Sequence, residues 1–142
     1  MDYGELQRHI RELASLEQSD ELVVSCYINA ATNYRKTIRE QVSSARNTID
    51  RKLLPGFWEA IGRIEVFFGT GIMAESRGVA VFARGGESPF FLSLQSGAPL
   101  PNSLKVGFKP DLDPLIHLRE NYYRQWSTEE RTTASIGPTT LQ

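Results

Sequence analysis

The run Leu22-Val23-Val24-Ser25-Cys26-Tyr27-Ile28 decides the fold of this chain. It is too short for a typical helix and rich in β-branched and aromatic residues, so it predicts a buried strand. Two later runs, Gly78–Ala83 and Phe90–Leu94, have the same character and flank the turn residues 85–89, which predicts a β-hairpin. A fourth run, Ser103–Phe108, alternates polar and apolar residues. It predicts a half-exposed strand that lies at an edge of the sheet or covers only one face.

Four stretches with apolar residues at helical spacing accompany these strands. The first covers residues 6–16, and the second begins at a cap, Thr32 or Asn33, and continues to about Leu53. The third follows the helix-breaking pair Pro55-Gly56, ends at residues 69–71 and is apolar enough to be largely buried. The fourth begins at Asp113-Pro114. The order α, β, α, α, β, β, β, α predicts an α/β (α+β) fold, with a mixed, mainly antiparallel sheet of about four strands covered by helices.

Length and composition indicate one globular domain. The chain has 142 residues, 40% of them hydrophobic and 23% charged, with a net charge of −1. These values exclude wholesale disorder and binding to nucleic acid or membrane through bulk charge. We expect a domain at residues 1–126 and a flexible tail at 127–142, which has almost no periodic apolar residues. A single cysteine, an acidic N-terminus and no apolar run of membrane-spanning length predict a cytoplasmic protein without a membrane partner.

The usual signatures of catalysis and of metal or cofactor binding are missing. His9 and His117 lie on different predicted helices, and a turn residue followed by a helix cap explains Asp111 and Asp113. Cys26 lies inside a predicted strand, where a thiol is most often a small core residue. Two glycine-rich segments, residues 69–71 and 84–86, stand where a helix end and a hairpin turn require glycine. We therefore predict no catalytic residue, no metal site and no cofactor.

The strongest local signal is a basic island in the second predicted helix. Residues 35–52 contain six basic and two acidic residues, a net charge of +4 in a chain of net charge −1. Three arginines of this island, Arg35, Arg39 and Arg46, share one flank of the helix beside its apolar stripe. A guanidinium offers a planar fork of donors to phosphate oxygens. The predicted RNA-binding residues are Arg35, Lys36, Arg39, Arg46, Arg51 and Lys52. A solvated helix face is the alternative explanation of the same charges.

The order of elements and four stretches resemble the N-terminal domain of the bacterial archaeo-eukaryotic-type peptide chain release factor superfamily. The stretches are Leu22–Asn29, the basic helix Arg35–Leu53, Arg77–Ala83 and Asp111–Leu118, and the resemblance covers residues 3–126. It implies a domain that contacts the small ribosomal subunit or tRNA in translation release or rescue. The expected partner is therefore the phosphate backbone of ribosomal RNA or tRNA.

The chain departs from the family pattern where the family reads stop codons and releases peptides. Residues 47–50 are Asn-Thr-Ile-Asp where stop-codon readers carry Asn-Ile-Lys-Ser, and residues 105–107 are Lys-Val-Gly where Tyr-x-Cys would stand. Peptide release in the family depends on a Gly-Gly-Gln loop in a following domain, whereas Gly85-Gly86 is followed by Glu87 in a predicted hairpin. The resemblance therefore implies a non-catalytic binding domain that does not release peptides by itself.

A protein-interaction domain is the alternative. The half-exposed strand Ser103–Phe108, or the aromatic residues Tyr122, Tyr123 and Trp126, could bind a protein partner or a second copy of the chain. A small hydrolase is a third class, but no set of nucleophile, base and oxyanion donors can be assembled from the sequence.

Overall fold

The computed structural model describes residues 1–122. The first three helices are α1 (Tyr3–Ala14), α2 (Tyr34–Arg46) and α3 (Leu54–Thr70), with a short 3-10 turn at Arg51–Leu53 before α3. The strands are β1 (Val23–Asn29), β2 (Gly78–Arg84), β3 (Phe90–Ser96) and β4 (Ser103–Gly107). A last helix, α4, begins at residue 113 and continues to the end of the described residues. The expected tail at 127–142, and the aromatic residues Tyr123 and Trp126, lie outside this range.

The four strands form one sheet in the order β3-β2-β1-β4. All three pairings are antiparallel, so the predicted element order and fold class are confirmed. β1 and β2 occupy the two central positions because their side chains are apolar on both faces. Every residue of β2 is buried, and six of the seven residues of β1 are buried. Ser103–Gly107 is an edge strand. This position confirms one of the two placements that the sequence predicts.

Two helical layers cover the two faces of the sheet. On one face, Val24, Cys26 and Ile28 of β1 join a core that includes Phe57 and Ile64 of α3. On the other face, Tyr27 joins a core that includes Leu6 and Leu13 of α1 and Leu115 of α4. The alternation of side chains along β1 thus requires helices on both sides of the sheet.

The loop before α4 is attached to the central strand by two hydrogen bonds. The Tyr27 hydroxyl donates to the backbone carbonyl of Asp111, and the backbone N–H of Asp111 donates to Ser25 Oγ at 2.9 Å. Burial raises the pKa of Tyr27, so its hydroxyl stays protonated and available as a donor. No helix in the described part of the chain is long and apolar enough to cross a membrane.

The second helix is shorter than its sequence pattern predicts. α2 ends at Arg46, not near Leu53, and residues 51–53 form a separate 3-10 turn. Thr48 and Asp50 explain the break, because their side chains bond to nearby backbone in competition with helix formation. Thr48 Oγ1 donates to the Ala45 carbonyl at 2.8 Å, and Asp50 Oδ1 accepts from the backbone N–H of Lys52 at 3.2 Å.

The third helix begins earlier and is less buried than predicted. Pro55 and Gly56 lie in the first turn of α3, where proline is favoured because its nitrogen needs no helical acceptor. The outer face of α3 is open to solvent, with Trp58 43% and Val66 71% exposed. α3 thus contains more apolar residues than the side of the helix that faces the sheet can bury.

Glycine is required where the β2–β3 hairpin meets the start of α3. A Cβ on Gly85 would lie 2.4 Å from the Gly56 carbonyl oxygen, which is far inside van der Waals contact. Gly86 has φ +83°, a conformation that other residues adopt rarely. Turn geometry therefore explains Gly86, as the sequence pattern predicts, and close packing against α3 explains Gly85.

Two substitutions on α3 separate the buried face from the exposed one. Phe57 is fully buried between the helix and the sheet, so Phe57→Ala is expected to lower the free energy of unfolding by about 3–5 kcal/mol. Val66→Ala removes a 71% exposed side chain from the same helix and is expected to change it by less than about 0.5 kcal/mol. Urea unfolding followed by circular dichroism measures both. Equal effects of the two substitutions would contradict the described packing.

Candidate nucleic-acid interface

All six predicted RNA-binding residues are exposed. Four of them, Arg35, Lys36, Arg39 and Arg46, belong to α2, and Arg51 and Lys52 belong to the 3-10 turn that follows. Among residues 1–122, only Arg35 of the six uses its side chain in a hydrogen bond, and none of the six forms an ion pair. Five cationic side chains are therefore available to an external anion.

The shortened α2 still carries the arginine flank that the sequence predicts. Arg35, Arg39 and Arg46 are separated by four and seven residues, which places them on one side of a helix. Ile38 of the same helix is buried against the sheet. Arg51 and Lys52 are not part of this flank, because α2 ends before them and the chain turns at residues 47–50. The predicted set is thus one helical row followed by a separate basic turn.

Arg35 has a structural role that the sequence pattern does not show. Its Nη2 donates to the Phe68 carbonyl near the C-terminal end of α3 at 2.9 Å. Its guanidinium carbon also lies 5.6 Å from the centre of the Tyr34 ring. A cation close to the last carbonyls of a helix interacts favourably with the helix dipole. Arg35 therefore ties α2 to α3, and its availability to a phosphate is lower than that of Arg39 or Arg46.

A groove of about 300 Å³ separates α2 from α3 beside the arginine flank. Arg35, Arg39 and Ser43 line it from α2, and Trp58 and Glu65 line it from α3. Because Trp58 is 43% exposed, an aromatic surface lies next to two guanidinium groups. Glu65 is the one acidic residue that lines the groove, and it opposes an anion at that end.

Sequence reasoning missed Trp58 because the whole third helix looked apolar. A signal was present, however, in the residues that share its side of the helix. Gly62 and Glu65 follow Trp58 by four and seven residues, so a small and a charged residue lie on the same face. Such a face is typical of the solvent side of a helix.

The acidic residue at the turn after α2 is directed toward the backbone. Asp50 occupies the part of the chain where the release factor pattern has an RNA-facing loop. Its carboxylate accepts from the backbone N–H of Lys52 and caps the 3-10 turn. This hydrogen bond holds the Asp50 carboxylate against the backbone of the 3-10 turn. The side chains of Arg51 and Lys52 have no partner within the described residues.

The titratable side chains that could act in catalysis, His9, His117 and Cys26, lie apart from one another. His9 Nδ1 lies 3.7 Å from Glu12 on α1, and His117 Nδ1 lies 3.8 Å from Glu120 on α4. Cys26 is buried in the central strand, and burial raises the pKa of its thiol to about 12. A thiol with that pKa is protonated at neutral pH and is not a nucleophile. Residues 1–122 contain no group of three His, Cys, Asp or Glu side chains arranged to hold a metal ion.

The glycine-rich hairpin uses its polar groups internally. The backbone N–H of Gly86 donates to Glu59 Oε1 at 2.8 Å, so a carboxylate already occupies the position that a phosphate would take. Arg84, beside it, is buried and donates to the carbonyls of Ser88 and Glu17 at 2.9 and 2.8 Å. The hairpin is therefore a structural turn.

The alternative interface on Ser103–Phe108 is partly covered. The backbone N–H of Leu104 donates to Gln41 Oε1 of α2 at 2.5 Å, which occupies one of the groups that a pairing strand would need. Phe108 is 46% exposed at the end of this segment. Tyr122 packs partly buried against the core beneath α1 and α4, so it is not a free aromatic surface.

No protein-family model matches this chain, and no curated protein matches it.

The two roles of arginine on α2 can be separated by neutral substitutions. Arg35→Gln removes a charged hydrogen bond to the end of α3 and is expected to lower the free energy of unfolding by about 1 kcal/mol. Arg39→Gln removes an exposed cation without a partner and is expected to change it by less than about 0.5 kcal/mol. Chemical unfolding of both variants measures the difference. Equal stability would show that the bond from Arg35 to Phe68 contributes nothing.

Proposed function

We propose that this chain is a non-catalytic RNA-binding domain that associates with the ribosome or with tRNA through α2 and the 3-10 turn. The observation that carries the proposal is a set of five exposed cations without partners in the described residues. Arg39 and Arg46 belong to the arginine flank of α2, Lys36 lies on the same helix, and Arg51 and Lys52 lie in the separate 3-10 turn. The release factor resemblance suggests translation release or rescue as the setting. The chain would supply the docking step, and peptide release would be supplied elsewhere.

The geometry of α2 favours contacts with phosphates over reading of bases. Arg39 and Arg46 are seven residues apart on one helix, which is about 10 Å at 1.5 Å per residue. Two cations at this separation can contact more than one phosphate of one RNA strand. Contacts of this kind fix register on the RNA and carry no sequence information.

Trp58 adds an exposed aromatic ring to the basic surface, and this ring favours binding of unpaired RNA. Aromatic side chains bind splayed-out bases by stacking, whereas double-stranded RNA hides its base faces. Trp58 and Arg39 line the same groove, so a base on the tryptophan could be followed by a phosphate on the arginine. This combination favours a loop, bulge or single strand over a regular duplex.

Charge reversal on the row tests the proposal. We expect Arg39→Glu, Arg46→Glu and Arg51→Glu in one chain to abolish co-sedimentation with ribosomes at about 50 mM salt, because affinity for phosphates depends on cation number. The wild-type chain should pellet at about 50 mM salt and much less at about 200 mM. Arg35 is left in place because it stabilises the fold.

The matched control reverses three exposed cations elsewhere on the molecule. Arg8→Glu, Arg11→Glu and Lys109→Glu change the net charge equally without touching α2. This variant should pellet like the wild-type chain. If both variants lose co-sedimentation equally, the loss is caused by overall charge and not by the α2 surface. If the folded α2 variant still binds ribosomes, the proposal is wrong.

Fluorescence of Trp58 reports the second part of the surface. The chain has two tryptophans, Trp58 and Trp126, so Trp126→Phe leaves Trp58 as the sole tryptophan reporter. We expect single-stranded RNA to quench this fluorescence and duplex RNA of equal length to quench it much less, because stacking requires an open base face. Equal quenching by both, or none by either in a protein that binds RNA, would remove Trp58 from the interface.

A further inference from the structure

The hydrogen bonds of the sheet show which backbone groups each edge strand presents to solvent. The Arg77 carbonyl, just before β2, accepts from the backbone N–H of Ala30, whereas the Arg77 N–H donates to Ser96 of β3. The backbone groups of Val79, Val81 and Ala83 continue this alternation and point toward β1. The residues between them, from Gly78 to Arg84, point toward β3. Their partners on β3 are Phe90, Leu92, Leu94 and Ser96. The N–H and C=O groups of Phe91, Ser93 and Gln95 therefore point away from the sheet.

The β4 edge is protected against further pairing. β4 has five residues, and Lys105 stands exposed in its middle. The Leu104 N–H, which points outward, is taken by Gln41. Short length, a lysine and a covering helix are features by which proteins prevent a sheet edge from adding strands.

The β3 edge has fewer of these protections, and the one charged side chain that the structure places over it is Arg63 of α3, whose guanidinium lies 4.8 Å from the centre of the Phe91 ring. Phe90–Ser96 is seven residues long and contains no charged residue and no proline. Within residues 1–122, no hydrogen bond reaches the outward backbone groups of Phe91, Ser93 or Gln95. The side chain of Gln95 holds the loop after α3, accepting from the Met73 N–H at 2.8 Å, but leaves the backbone of β3 open. An exposed uncharged edge of this length is a template for another strand.

We propose that β3 pairs with β3 of a second copy of this chain, antiparallel and about a twofold axis at Ser93. The outward residues Phe91, Ser93 and Gln95 are spaced evenly about Ser93. In this register Ser93 faces Ser93, and Phe91 of each copy faces Gln95 of the other. All six outward N–H and C=O groups of each copy are then satisfied. Twofold pairing of one surface with itself is the commonest form of homodimer.

The surroundings of β3 favour a second copy over an unrelated peptide. On the α1 side, Leu92 of each copy would lie opposite Leu94 of the other, extending the apolar core across the axis. On the α3 side, a groove of about 940 Å³ lies between α3 and the β2–β3 hairpin, lined by Trp58, Val66, Phe67 and Phe91. A continued sheet would lie beside this groove and shield the apolar wall from water. The two chains together would form one eight-stranded sheet.

Substitution of Ser93 tests the dimer directly. Ser93→Pro removes an N–H that β3 does not use in its ladder to β2, so an edge strand can accept it. We expect the wild-type chain to show twice the monomer mass of 16.0 kDa and Ser93→Pro to show the monomer mass, with unchanged circular dichroism. Analytical ultracentrifugation up to about 100 micromolar measures both, since dimer formation depends on concentration. A wild-type chain that stays monomeric over this range would overturn the proposal.

A second pair of variants keeps the test decisive if Ser93→Pro does not fold. Ser93→Lys places like charges together at the axis and should also yield monomers, whereas Ser44→Lys adds the same charge on α2 and should remain dimeric. A dimer that survives Ser93→Lys in a folded protein would place the interface elsewhere.

Cross-linking gives the register. Hydrogen-bonded partners in antiparallel strands have Cα atoms about 5.5 Å apart, within the range that a disulfide spans. Ser93→Cys should therefore form a disulfide-linked dimer under mild oxidation, and Ser44→Cys should not. Cys26 contributes no background because it is buried. Failure of Ser93→Cys to cross-link while the chain is dimeric would contradict the twofold axis at Ser93.

Discussion

Burial of β1 on both faces and along both edges is the constraint on which the rest of the structure depends. Val24, Cys26 and Ile28 face one layer of helices, and Tyr27 faces the other. The strand also bonds to β2 on one side and to β4 on the other. A strand with apolar side chains on both faces cannot lie at a solvent-facing surface without exposing them. Both helical layers follow from this requirement.

The helical layer on the α2 and α3 side determines which charges remain available. α2 contacts the sheet through Ile38 and reaches the β4 edge through Gln41, so its opposite flank faces solvent. Arg35 bridges to the end of α3 and holds the two helices together along a groove. The same packing leaves Arg39 and Arg46 without partners and leaves Trp58 exposed in the groove beside Arg39. A basic row next to an aromatic ring is thus a consequence of how two helices share one face of the sheet.

The two edges of the sheet differ in a way that gives the molecule two separate surfaces. At the β4 edge, α2 covers the backbone and carries the basic row on its outside. At the β3 edge, the backbone of Ser93 and its neighbours is open, and the nearby side chains are mostly apolar. Pairing at β3 would leave α2 at the far side of each copy, so a dimer would present two basic rows at opposite ends of one continuous sheet. The two proposals therefore use different charged residues and backbone groups, but they share Trp58, which lines both the groove beside Arg39 and the groove beside β3.

The sequence by itself determined the elements, their order and the presence of a basic island, because period and composition are local properties of the chain. Short runs rich in β-branched and aromatic residues predicted strands, and the spacing of Arg35, Arg39 and Arg46 already placed them on one side of a helix. The sequence also contains the residues that end α2, because the side chains of Thr48 and Asp50 compete with the helix for backbone hydrogen bonds. The apolar stripe continues past them, however, and predicted a longer helix. Only the tertiary structure decided that Arg35 bonds to Phe68, that Trp58 lies in a groove with Arg39, and that β3 rather than β4 is the open edge. These features join residues that are far apart in the chain, and pairing and packing between distant segments are not encoded in the periodicity of any one of them.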